Sequence, residues 1–301
     1  MSTTNFPGGI SVAGVPVLGS GDIFTTGDVY FVSSGSGSDT NDGKDKDRAM
    51  ATLDAAVGRC TASQGDYIIV MPNHAETISA AAGVDLDVAG VTVVGLGEGV
   101  NRPTITFDTA ASTDIDIDAA GVTIKNLVFT ANYADIAIAI DVNADDFTIE
   151  DCHFQATATN MNFLVCIQDA AGGGSDRIKI HRCSSIMLDA SDTHFVNFAG
   201  TGDGHEVWGC HLVGNWGTMA IGGAGVITLC SILDNVIYNA ASDNDSCINL
   251  AATATGIVMR NLAGGAAAQA NGFTAADCAI AQNFYGVLNE DLSAILEPIA
   301  T

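Results

Sequence analysis

Positive charge is what this chain has least of. Lysine and arginine together number 10 against 35 aspartates and glutamates, a formal charge of -25 over 301 residues. Such a surface repels nucleic acid and anionic membranes, which recruit proteins through Lys and Arg. The expected partners therefore include no nucleic acid and no membrane. Aromatic residues are also scarce, at 6%, which disfavours a long sugar-stacking groove. No apolar run approaches the ~20 residues of a membrane-spanning helix. Residues Met1 to Phe6 carry neither the basic nor the apolar region of a secretion signal, so a soluble protein made in a cytoplasm is expected. No Cys-x-x-Cys, phosphate-cradling glycine loop or dinucleotide fingerprint occurs. No cofactor and no metal is expected on that basis.

What the chain does have is a repeat. An alternating apolar phrase meets a small hinge, and a second alternating phrase follows, as in Gly121-Val122-Thr123-Ile124-Lys125-Asn126-Leu127-Val128-Phe129 and Asp146-Phe147-Thr148-Ile149-Glu150-Asp151-Cys152-His153-Phe154. Taking Gly95, Asn126, Asp151, Arg182, Gly209, Asp234 and Asn261 as equivalent gives steps of 31, 25, 31, 27, 25 and 27 residues. A period in that range with strand-type alternation means a stacked solenoid. Companion strands precede each hinge, among them Val84 to Val88, Ile115 to Asp118 and Ile136 to Asp141. Alternation puts the apolar set inside and Asp, Thr and Asn outside. The fold class predicted is all-β, a right-handed single-stranded parallel β-helix of about seven coils, roughly 34 Å long at ~4.8 Å per coil.

Around that body, residues 1–27 read as an extended N-terminal arm or, equally, a disordered terminus. Residues 28–77 form an N-terminal strand and helix cap. The helix is expected over 48–60, where Leu53, Ala56, Val57 and Cys60 keep helical spacing and can cover the open end of the bore. The β-helix proper is assigned to 78–285. Residues 286–301 are a C-terminal tail or cap, with a short helix expected at Asn289 to Leu296.

The eight cysteines are expected to be free. Cys152, Cys183 and Cys210 fall at one position of successive repeats, where Leu127 and Leu262 also fall, and behave as small core hydrophobes. Coils ~4.8 Å apart hold stacked Cβ atoms farther apart than the ~3.8 Å of a disulfide.

Each candidate for chemistry has a plainer reading. The loop from Asp39 to Asp47 resembles a calcium loop, but it lacks one spacer and the closing Glu, and reads as an Asn/Asp/Gly turn. His74-Ala75-Glu76 echoes the His-x-Glu of zinc deaminases without their cysteine pair. In Cys152-His153 and Cys210-His211 the thiol faces inward and the imidazole outward, so neither is a catalytic pair. His153 and His211 are separated by a coil carrying Ser184, which favours a solvated face over a shared metal. Asp85 with Asp87, and Asp116 with Asp118, each lie on one strand face roughly 7 Å apart, within the range of glycosidase carboxylates. Arg102, Arg177, Arg182 and Arg260 form no evident cluster to support a lyase, so the aspartates are read as structural and no catalytic residue is assigned.

The segments Val29 to Ser33, Asn41-Asp42-Gly43, Ala51-Thr52-Leu53-Asp54-Ala55-Ala56 and Gly65-Asp66-Tyr67-Ile68-Ile69-Val70 resemble the entry of the pectate-lyase-like β-helix superfamily. Pro72 to Thr77 and Val94-Gly95-Leu96-Gly97-Glu98-Gly99 to Arg102-Pro103 resemble the version found in bacteriophage virion proteins. The resemblance covers about residues 28 to 285. It implies a non-enzymatic virion structural protein, made in the host cytoplasm and placed as a capsid decoration or cement protein on the head exterior. Its implied partners are itself, as a homotrimer, and the major capsid protein or other virion proteins. The alternative is a tail spike or fibre that binds or depolymerises host surface polysaccharide.

Overall fold

A computed structural model describes residues 11–12, 15–16, 25–169, 174–187, 189–241, 246–265, 272–275 and 277–287. The expected C-terminal helix and most of the N-terminal arm lie outside them. Within the arm, Ser11–Val12 pairs antiparallel with Val15–Pro16. Everything else that is strand joins one parallel β-solenoid of about eight turns. Its sheets hold ten, nine and eight strands, with a two-stranded ladder of Gly202–Asp203 and Ile227–Thr228 besides. The ten-stranded sheet exceeds the seven repeats because Val29–Val32 and Tyr67–Val70 pair in register beneath Thr92–Gly95 and Cys278–Ala281 pairs beyond Gly256–Met259.

Each turn has three strands, where the repeat reads as two phrases. The second phrase is broken by one residue in the left-handed region. Asn126, Asp151, Arg182, Asp234, Arg260 and Gln282 take φ between +51° and +58°, and Gly209 takes +67°. Thus Thr123–Lys125 belongs to the ten-stranded sheet and Val128–Ala131 to the nine-stranded one. A left-handed residue costs a non-glycine side chain roughly 1 to 2 kcal/mol, and Asn and Asp lower that cost by local hydrogen bonding. Asn126 does so, donating from Nδ2 to Gly95 O at 2.8 Å and Gly97 O at 3.0 Å. A second corner precedes the ten-stranded sheet, with positive φ at Gly90, Gly121, Asp146, Arg177, Gly204 and Leu229.

The bore is filled by buried, mostly apolar side chains. Phe154 sits among Phe129, Phe195 and Phe163, with ring centroids 5.0, 5.4 and 6.4 Å away. Such aromatic pairs add ~0.5 to 1.5 kcal/mol beyond burial. One inward column changes chemistry along the rod. It reads Leu127, Cys152, Cys183, Cys210, then Asn235, Asn261, Asn283, all buried. The last repeat is therefore offset by one: Arg260 is the corner, Asn261 takes the inward slot, and Leu262 is 53% exposed. The asparagines form a ladder. Asn235 Nδ2 donates to Asn261 Oδ1 at 2.9 Å and Asn261 Nδ2 to Asn283 Oδ1 at 3.0 Å. Their amides also donate to Val207 O, Ile232 O and Val258 O, so the buried polar groups are satisfied. All eight cysteines are unpaired, and burial pushes the Cys152 thiol up to about 12 and raises Cys183 well above its ordinary value.

At the N-terminal end, α1 (Leu53–Val57) is shorter than the periodicity predicts, because Lys46–Arg48 is a separate 3-10 turn. Thr52 caps α1 by accepting from Ala55 N. Its buried Leu53, Ala56 and Val57 pack over Val29–Val32, Tyr67–Val70 and Val84–Asp85.

Candidate functional site

The residues nominated from sequence divide into structural devices and one acidic ladder. In the calcium-like loop, Asp39 Oδ1 accepts from Ala51 N and Thr52 N. Asp45 caps the 3-10 turn and, with Asp42, holds Arg48. Gly43 takes φ +66°, and a Cβ there would meet Met50 Cε at 2.5 Å. The carboxylates are thus engaged by the chain itself. His74 and Glu76 are equally structural. Ser34 N donates to His74 Nδ1 at 3.0 Å, leaving the ring proton on Nε2, which faces Glu76 Oε2 at 3.0 Å. The same carboxylate oxygen accepts from Leu53 N at 2.9 Å, at the start of α1. The pair ties the cap to the first rungs.

His153 and His211 flank Ser184 in register. His153 Nδ1 meets Ser184 Oγ at 2.8 Å, and burial with nearby Arg102 holds its pKa below the ordinary value. Among the described residues no group of three or more His, Cys, Asp or Glu is placed to hold a metal. The arginines line corners: Arg177 pairs with Asp146 at 2.6 Å, Arg182 with Asp151 at 2.8 Å and Arg260 with Asp234 at 2.7 Å.

On the outer face of the eight-stranded sheet, Asp85, Asp116 and Asp141 stack in register across three rungs. The register makes a carboxylate ladder across strands, in addition to the pairs along each strand. Burial, and then repulsion from surrounding aspartates such as Asp118, raise all three, with Asp116 pushed up to about 6. Above them the column continues as Gln168 and Asn197, joined at 2.8 Å. Asp118 accepts from Asn143 Nδ2 at 2.9 Å. The ladder can take up protons as pH falls, but its column brings it no cation and no aromatic platform.

A more versatile site lies on the ten-stranded sheet. His181, Glu206, Trp208, Ser231 and Leu233 line a shallow recess of about 220 Å³. Three rungs build it, since Glu206 stacks between Lys179 and Ser231, and Trp208 between His181 and Leu233. Inward Val207 fixes the outward phase of both Glu206 and Trp208. Trp208 is 40% exposed. His181 meets its ring edge-on at 5.8 Å and Arg182 lies over it at 5.7 Å. Its Nε1 donates to Asp234 Oδ2 at 3.2 Å. His181 Nε2 contacts Glu206 Oε2 at 3.1 Å. A fixed indole face beside a carboxylate, an imidazole and a hydroxyl can stack on an apolar ring face and bond the hydroxyls around it. Sequence reasoning passes over this recess because the residues that stack from rung to rung lie 25 or more positions apart. The readable signal was the alternation that turns Trp208 outward.

Comparison with solved structures supports the fold. A rhamnogalacturonan lyase matches 79% of this chain and 68% of its own at 12% identity, with a TM-score of 0.54. A GH136 lacto-N-biosidase from Eubacterium ramulus matches 85% of this chain and 68% of its own at 11% identity, with a TM-score of 0.38. No protein-family model matches this chain, and no curated protein sequence does. The likeness to the lyase is one of parallel β-helix architecture.

Proposed function

We propose that this chain is a non-enzymatic structural protein of a bacteriophage virion, a decoration or cement protein on the head exterior, assembled as a homotrimer against the major capsid protein. The observation that carries this reading is the unbroken registration of rungs from Val29–Val32 to Phe284–Val287, which makes a stiff rod around a continuous apolar core. A rod of net charge -25 held at a particle surface would also keep particles apart by like-charge repulsion. The resemblance of Pro72 to Thr77 and of Val94 to Pro103 to the version found in phage virion proteins supports the viral setting. Electron microscopy of particles labelled with antibody to this chain tests it: label spread over the head lattice is expected, and label confined to the tail, or absent, rejects it.

A second reading, a tail spike or fibre that engages host polysaccharide, is favoured by the Trp208 recess. It predicts retention of host surface glycan on immobilised protein and loss of that retention in Trp208→Ala. An indole–sugar stack contributes on the order of 1 kcal/mol, a ~5-fold change in affinity. A reducing-end assay on the same glycan tests cleavage separately.

A further inference from the structure

The three outer faces of the rod differ in charge, and one of them has none. Each strand of the nine-stranded sheet presents two outward positions, and among the described residues none of these is Asp, Glu, Lys or Arg. The other faces carry charge at the equivalent places: Lys125, Glu150, Lys179 and Glu206 on the ten-stranded sheet, Asp85, Asp116 and Asp141 on the eight-stranded one. In a chain with 35 acids, an uncharged column set nine strands long is a strong departure from the rest of the surface, although its outward Val128 and Thr130 are themselves buried. At ~4.8 Å per strand it runs roughly 38 Å.

Toward the C-terminal end this face becomes apolar. Val236, Leu262 and Phe284 stack in one column and are 40%, 53% and 44% exposed. Beside them lie Ile186, itself 52% exposed, Val213 and Tyr238. Along one border the Arg182–Asp151 and Arg260–Asp234 pairs restore charge. An uncharged apolar centre with a charged rim is the anatomy of a protein–protein interface.

We propose that the nine-stranded face is where a second copy of this chain packs. The argument is electrostatic. A basic partner would gain most on the acidic eight-stranded face, and the ten-stranded face offers charges of both signs. Two copies of a chain at -25 repel each other wherever their carboxylates meet, so the face they can bring together is the one without carboxylates. The inference deepens the homotrimer in the reading above by naming its contact surface.

The test is the mass of purified protein by light scattering across a range of concentration and salt, with Val236→Glu/Leu262→Glu as the disrupting variant. Wild type is expected at a multiple of 30.7 kDa. The double variant is expected at the single-copy mass, at least 10-fold weaker in association, with an unchanged far-ultraviolet circular dichroism spectrum. Ile257→Glu, an equally exposed apolar position on the ten-stranded sheet (42%), should keep the wild-type mass. Wild-type association should also tighten with added salt, because screening removes the repulsion and leaves the neutral contact. A single-copy wild type, an assembled double variant, equal dissociation by Ile257→Glu, or association that weakens with salt each overturns the proposal. Failure of the virion reading shows instead in the labelled particles, whatever the mass.

Discussion

The two halves of the rod solve the same packing problem with different chemistry. In the N-terminal half the bore is filled by phenylalanines, and the column that follows the corner at Asn126, Asp151, Arg182 and Gly209 holds Leu127 and three thiols. In the C-terminal half the same column holds asparagines, each satisfied by its neighbour and by a backbone carbonyl. The geometry of a rung is thus indifferent to what fills the slot, but the consequences of a substitution are not. An apolar slot loses contacts in proportion to what is removed. An amide ladder loses partners at once on both sides.

The largest effect should come from the aromatic half. Phe154→Ala removes a fully buried ring in contact with three others and should cost about 4 kcal/mol by urea unfolding. In the amide half, Asn261→Leu keeps the branched shape yet strips the acceptor from both Asn235 N and Asn235 Nδ2. A cost of about 3 kcal/mol is expected, since each orphaned buried donor carries ~1 to 3 kcal/mol. If Asn261→Leu proves neutral, the ladder contributes no more than apolar filling does, and the contrast between the halves fails.

Asp192 sharpens the comparison from the other side, as a buried polar group without the ladder's satisfaction. It is 1% exposed, and burial pushes its pKa up to about 7 even though Asn162 and the backbone at Asp189 lie close enough to oppose the rise. A folded pKa above the unfolded one means the folded state holds the extra proton. Its favourable contribution is intact below the unfolded value near 3.8 and is lost as pH rises through about 7. Asp192→Asn should therefore leave stability near pH 3.5 almost unchanged and raise it at pH 8 by about 2 kcal/mol. Melting temperatures at the two pH values check this, and equal shifts at both would contradict it.

The smallest effect belongs to the thiol column. Cys183→Ala should cost about 1 kcal/mol, the loss of one small buried group. The raised thiol pKa values predict that Cys152 and Cys183 resist iodoacetamide at pH 8 in the folded protein and react only on unfolding, as mass spectrometry of tryptic peptides can read.

The solenoid was legible because its period and its alternation are both written in apolar residues. The third sheet was not, because the break that creates it is a single left-handed residue that can be Asn126, Asp151, Arg182 or Gln282, with no shared composition. The same variability hid the offset at Arg260. An asparagine reads naturally as a corner, yet Asn261 is the buried rung of a ladder. The recess at Trp208 and the neutral face depend on which residues stack across rungs, and that register exists only once every corner is placed. Asp192 lay in a polar stretch, Ser191-Asp192-Thr193, that looks like solvent-facing turn. Its burial comes from packing of neighbouring rungs.

The amide file also has a direction. Each side-chain NH2 points to the next carbonyl toward the C-terminus, from Asn235 to Asn261 to Asn283, and the file begins where Cys210 N donates to Asn235 Oδ1. A duplicated segment with asparagine at this slot, inserted after Asn235, would therefore prolong the file without a mismatch. One carrying cysteine there would interrupt it. Gene duplication could lengthen the molecule in whole rungs at that place, and the chemistry of one slot decides which duplicates fold.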